Sequence, residues 1–199
     1  QRQMCIRDRF NAQLTTPYTM LVPKIDQLPS LVSTLNAQKY QTTAIHPFNT
    51  SMYKREDVYK VMGFDRFISE DTMKYTETID NNPYISDESA YKEVMDLLKN
   101  TETPQFVHLV TMQTHMPYNG KYSKLDYSAK TMDDSGTNSL DNYLQDIAYS
   151  SQALKKFTEE LKDLSRRTLV VFWGDHLPGI YSEAVSYTHL RAHETGAYL

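Results

Sequence analysis

Three short apolar runs, each followed at once by chemistry-bearing polar residues, punctuate the chain. Thr42-Thr-Ala-Ile45 leads into His46-Pro47, Gln105 to Met112 into Thr114-His115-Met-Pro117, and Thr168-Leu-Val-Val-Phe-Trp173 into Gly174-Asp175-His176. Each run is too short for a helix and rich in β-branched or aromatic residues, which predicts a buried strand. Between the runs, apolar positions recur at helical spacing. Ile25, Leu28, Leu31, Val32 and Leu35 predict a helix over 25–40, with Pro29 tolerated in its first turn. Val58, Tyr59 and Met62 predict a short helix that Gly63 stops; Tyr91, Val94, Leu97 and Leu98 predict another, capped by the Ser86 region. From Leu140 to Leu164 the period persists long enough for one long helix. Residues 68–87 read as a polar surface excursion, and residues 118–138 as a mobile loop with almost nothing to bury. Strand alternating with helix implies a parallel sheet with helices on its faces.

In such sheets ligands bind beyond the carboxyl ends of the strands, which would bring His46, His115, Asp175 and His176 to one site. Asp175 and His176 supply one oxygen and one nitrogen donor. That set suits manganese, zinc or magnesium and needs further ligands; alternatively Asp175 caps the turn after Gly174 and His176 sits in a core. His46, Tyr53 and Arg55 form an anion-recognition set, because a guanidinium fork matches a phosphate and the Tyr and His add neutral donors. The alternative for Arg55 is a solvated charge at a helix start, paired with Glu56 or Asp57. His115 would donate a hydrogen bond to an anionic oxygen or a proton to a leaving alkoxide; taken alone it is a packed or exposed loop histidine. His108, inside the second run, is a core or sheet-face residue with no chemical role.

At 199 residues the chain accommodates one domain with a sizeable core. A formal net charge of −4, with no basic block and no aromatic–basic interleaving, argues against nucleic acid as a partner. No apolar segment reaches the length of a membrane span and no signal peptide is visible. Both ends look foreign: Gln1 to Asp8 and Val185 to Thr195 resemble translated sequencing-adapter read-through. Residues 1–9 and 185–199 are therefore expected to be artefactual tails flanking a domain over 10–184 that is truncated at both ends. Setting aside Arg2, Arg7, Arg9 and Arg191 with Asp8 and Glu194 takes the net charge from −4 to −6. Cys5 also falls in the tail. So do His189 and His193, whose helical spacing beside Glu194 would suit zinc, and they receive no functional weight.

Taken together, Thr42 to Asn49, Met52 to Arg55, Val58-Tyr59, Gly63 to Phe67, Thr111 to Tyr118 and Phe172 to Gly179 resemble the extracellular catalytic domain of the lipoteichoic acid synthase family. These are sulfatase-like phosphoglycerol transferases of the alkaline phosphatase superfamily, and the resemblance covers nearly all of residues 20–182. It implies a three-layer α/β sandwich on a mostly parallel sheet, here incomplete. Asp175 and His176 match the family's paired metal ligands, usually for manganese, with magnesium or zinc as alternatives. His115 matches a contact to the substrate phosphate, and His46 and Arg55 match head-group contacts. Tyr53 stands where lipoteichoic acid synthases tend to have Trp, which points to a neighbouring branch. The family's acidic metal ligand and threonine nucleophile have no counterpart; both belong upstream of Phe10, so no catalytic nucleophile is expected in this chain and it should be inactive alone. The intact parent would sit in the cell membrane through an N-terminal anchor with its catalytic domain facing outward. It would move glycerophosphate from an anionic glycerophospholipid, through a phospho-threonine, to a polymer or glycolipid acceptor. The alternatives are a sulfatase or phosphoethanolamine transferase, separated by the identity of the nucleophile, and a non-catalytic binding domain on the same fold. The joint presence of Asp175, His176, His115 and Arg55 argues against the last.

Overall fold

A computed structural model describes residues 30–129, 137–176 and 178–180. Its centre is a parallel three-stranded sheet in which β1 (Gln41–His46) lies between β2 (Arg66–Ser69) and β3 (Gln105–Leu109). Thr43 to His46 pair with Arg66 to Ser69, and Gln41 to Ile45 pair with Gln105 to Leu109, so all three strands end at the same edge. Covered on both faces, β1 is buried from Thr42 to His46, which is why its sequence reads as a continuous run and not an alternation.

The helices follow local signals. Ser30 and Ser33 form a reciprocal capping box at the start of α1 (Leu31–Ala37). Gly63, at φ 87°, ends α2 (Arg55–Met62) in a left-handed conformation that costs a glycine little. The Ser86 hydroxyl caps α3 (Asp87–Lys99), and α4 (Thr137–Glu160) runs on into a 3-10 turn at Leu161–Asp163. Alternation along the strands separates the faces. Ile45, Ile68, Val107 and Leu109 meet α3 and α4 through Ala90, Val94, Met95, Leu98 and Ala153, with Tyr91 stacked on Phe157 at 4.7 Å. On the other face Phe67 and His108 pack on Tyr59 of α2, at 5.0 and 5.8 Å between ring centroids. Helix, sheet and helix thus make three layers, as expected, and His108 is a sheet-face residue.

Three expectations need correction. The run Thr168 to Trp173 is irregular and pairs with no strand among the described residues; Leu169 is 89% and Phe172 65% exposed. Both edges of β1 are taken by β2 and β3, and the run lies against neither outer edge, so its backbone has no ladder to join. The start of the supposed excursion at 68–87 is the end of a strand, β2. Its four residues give too little periodicity to register, yet the Asp65 carboxylate fastens it by accepting from Thr42 N at 2.8 Å and Thr42 Oγ1 at 3.0 Å. Finally, the described part of the 118–138 segment does bury side chains, namely Tyr118, Lys121 and Tyr122. The predicted start of the first helix at 25–29 and both proposed tails lie outside the described residues. Among the described residues no helix is long and apolar enough to cross a membrane.

Candidate functional site

His46 ends β1 at the carboxyl edge and is completely buried. Its Nδ1 lies 3.0 Å from the carbonyl oxygen of Val110, a residue held in place because its N–H donates to Ile45 O. A carbonyl can only accept, so Nδ1 carries the proton and Nε2 presents a lone pair. That Nε2 is buried without a partner. Burial, and next the Arg55 guanidinium, lower the pKa to about 4 against the pull of the Val110 carbonyl. At neutral pH His46 is therefore an acceptor, which corrects its sequence reading as a neutral donor to an anion.

After His46 the chain doubles back. Asn49 Oδ1 accepts from Ser51 N at 2.8 Å and from Ser51 Oγ at 2.7 Å, and Tyr53 and Lys54 both take left-handed conformations, at φ 56° and 49°. Two consecutive non-glycine residues in that region are costly, and they turn Tyr53 outward at the start of α2. The Arg55 guanidinium lies 5.8 Å from the Tyr53 ring centroid, a cation–π arrangement, and Nη1 donates to Tyr59 Oη at 2.8 Å. Its Nε is buried and unpartnered, and Arg55 makes no ion pair with Glu56 or Asp57.

His115 comes from the turn after β3, its N–H bonded to Met112 O at 3.0 Å. Its Nδ1 donates to Met116 O at 2.6 Å, and the Tyr84 hydroxyl donates to the same carbonyl at 2.6 Å. With Nδ1 as the donor, Nε2 holds the lone pair and can donate only when the ring is protonated. An edge-on series of rings, His46 to Phe48 at 6.2 Å, Phe48 to Tyr84 at 5.7 Å and Tyr84 to His115 at 5.7 Å, joins the two histidines. His46 also feels the charges of both Arg55 and His115. The structure thus brings together His46, Tyr53, Arg55 and His115.

Asp175 and His176 are exposed, with Oδ1 and Nε2 3.8 Å apart. Their link to the cluster runs through the following turn: the Gly179 backbone bonds the Tyr118 hydroxyl, and a Cβ on Gly179 would overlap Met116 Cε. A carboxylate and an imidazole suit a divalent ion chemically, but two donors do not close a site. Among the described residues no three His, Cys, Asp or Glu side chains are grouped to hold a metal. These residues by themselves do not fit a complete metal centre.

Sequence reasoning missed Tyr84 and Lys121, which underpin the His115 turn from segments read as surface. The available signal was compositional, namely tyrosines clustered at Tyr84, Tyr118 and Tyr122 in otherwise polar stretches, more buriable surface than a solvated loop requires.

Residues 6–198 match the family described as Sulfatase. The chain belongs to the sulfatase family. It is 33% identical over 153 residues to a putative cyclic beta-1,2-glucan modification protein of Rhizobium meliloti, a match covering 76% of this chain and 24% of that protein. It is 28% identical over 167 residues to lipoteichoic acid synthase 1 of Bacillus subtilis, covering 83% and 24%. The chain therefore spans about a quarter of the length of these relatives. The fold is shared with the Streptococcus pyogenes phosphoglycerol transferase GacH in complex with sn-glycerol-1-phosphate, at a TM-score of 0.75 and 24% identity, over 90% of this chain and 47% of that one.

Proposed function

We propose that this chain is part of a phosphoglycerol transferase acting on a glycerophospholipid head group in the making of a cell-envelope polymer. The observation that carries the reading is the grouping of His46, Arg55 and His115 at the carboxyl edge of the sheet. Arg55, its guanidinium paired with no carboxylate among the described residues, takes the phosphoryl oxygens, and Tyr53 flanks it. His115, its Nδ1 bound to the Met116 carbonyl, brings its other ring nitrogen to the same anion, where developing charge needs most help. Neutral His46 is completely buried, so contact with the phosphate falls to Arg55, Tyr53 and His115. The resemblance to lipoteichoic acid synthases and to a phosphoglycerol transferase supports the same chemistry.

Asp175 and His176 are proposed as two donors of a divalent-metal site, manganese first, completed by donors beyond the described residues. The acceptor is a polymer or glycolipid, and the relative named for glucan modification extends that class to polysaccharide. The working site would stand at the outer face of the cell membrane, where such lipids and acceptors meet. A longer protein containing this segment should release diacylglycerol from a glycerophospholipid and should not hydrolyse an aryl sulfate. In titration calorimetry it should bind manganese and lose that binding on Asp175→Ala, because removing one of a few ligands is severe. Sulfate-ester turnover without glycerophosphate transfer would overturn the assignment.

A further inference from the structure

Lys121 is the most unusual side chain outside the cluster. It lies in a segment of polar composition, yet it is 1% exposed, whereas Lys124, three residues on, sits in solvent beside Asp126. Its ammonium donates to Asp146 Oδ2 at 2.7 Å, to Gln113 O at 2.7 Å and to His115 O at 2.8 Å. Three acceptors use all three protons. The faces of Tyr84 and Tyr118, at 5.3 and 5.4 Å from Nζ, complete the enclosure. Asp146, on α4, is matched as fully: its other oxygen accepts from the Tyr122 hydroxyl and from Asn82 Nδ2.

Two carbonyls that are two residues apart in sequence converge on one ammonium, and this bends the backbone between them. The bend sets the His115 backbone, while Tyr84, under the same ammonium, holds the Met116 carbonyl that orients the imidazole. A buried ion pair is weak support for stability, since apolar residues of similar volume commonly serve as well. What an ammonium adds is directed hydrogen bonding to carbonyl oxygens, and here both carbonyls belong to the His115 turn. We propose that Lys121 is the positioning residue of His115, tying its turn to Asp146 of α4 and so fixing which imidazole nitrogen carries the proton. This rests on the reading of His115 as a phosphate-facing group, but its test needs no substrate.

The test uses the 199-residue chain labelled with nitrogen-15 at histidine, comparing the native sequence with a Lys121→Met, Asp146→Asn double variant that removes both charges and keeps acceptors for Tyr122 and Asn82. In the native chain His46 and His115 should each show a single tautomer protonated at Nδ1. In the double variant His46 should be unchanged, while His115 loses its single tautomer and gains a population protonated at Nε2. A His115 signal that stays at the native tautomer would overturn the proposal. If His46 also loses its tautomer the variant has unfolded generally. Lys121→Arg, which keeps the charge but moves its donors outward, then decides on the same two signals. Failure of the functional assignment would appear in turnover and leave these spectra untouched.

Discussion

His46 offers the sharpest quantitative test, because a completely buried imidazole that remains neutral makes stability depend on pH in a definite direction. Its pKa falls from 6.5 to about 4 on folding. The unfolded chain therefore binds the proton first as pH drops. The His46 contribution is fully present above about pH 6.5 and is lost as pH falls toward about 4. At about 1.4 kcal/mol per pH unit, the whole effect is about 3 kcal/mol, of which about 2 kcal/mol is expressed at pH 5. Other groups titrate too: burial lowers His108 in the same sense, while burial raises Asp87 and Asp146 in the opposite one. A variant isolates the term. His46→Asn puts an amide nitrogen near the place of Nδ1, able to keep the Val110 bond, and it does not titrate. Urea unfolding of both proteins at pH 7.5 and pH 5 should show the native chain losing about 2 kcal/mol more than the variant. Equal losses in the two proteins would refute the buried neutral imidazole, and with it the reading of Nε2 as an acceptor.

In a longer active protein, Arg55→Lys should cut turnover about tenfold or more although charge is kept, because a lysine cannot offer the bidentate fork to phosphate; steady-state kinetics on a glycerophospholipid would check this. Gly63→Ala should destabilise by about 1 kcal/mol, since φ 87° is strained for any side chain while the added Cβ would meet only an ordinary van der Waals contact with Asn36 Nδ2, and the shift would be read in a thermal melt. Removing residues 1–9 and 186–199 should change stability by no more than roughly 0.5 kcal/mol if those ends are foreign; a large drop in the melting midpoint would show that they pack.

How much was legible in the sequence varied with how local its cause was. β1 stood out because both faces of a central parallel strand are covered, β3 because its apolar run is short and rich in β-branched and aromatic residues, and α2 and α3 because Gly63 and Ser86 carry their boundary chemistry in the residue itself. The run from Thr168 to Trp173 had equally good local credentials, but a strand is completed by its neighbour, and no composition specifies one. The residues grouped at the cluster were recognisable as types. The proton on His46 was not, because it depends on Val110, which lies 64 residues away in sequence. Lys121 was hidden for the same reason, its partners being the Gln113 and His115 carbonyls of one turn and the Asp146 carboxylate on α4.

The exposed stretch from Leu169 to Trp173 also has a practical consequence for the isolated polypeptide. Five successive apolar, β-prone residues without a charge or proline, open to water, have the makeup of a segment that recruits copies of itself edge to edge. Self-association of the purified chain at high concentration would originate there, and sedimentation data would then report stickiness instead of a native assembly. Val171→Lys, one charge placed in the middle of the stretch, is the economical way to keep preparations monodisperse without touching the cluster around His46.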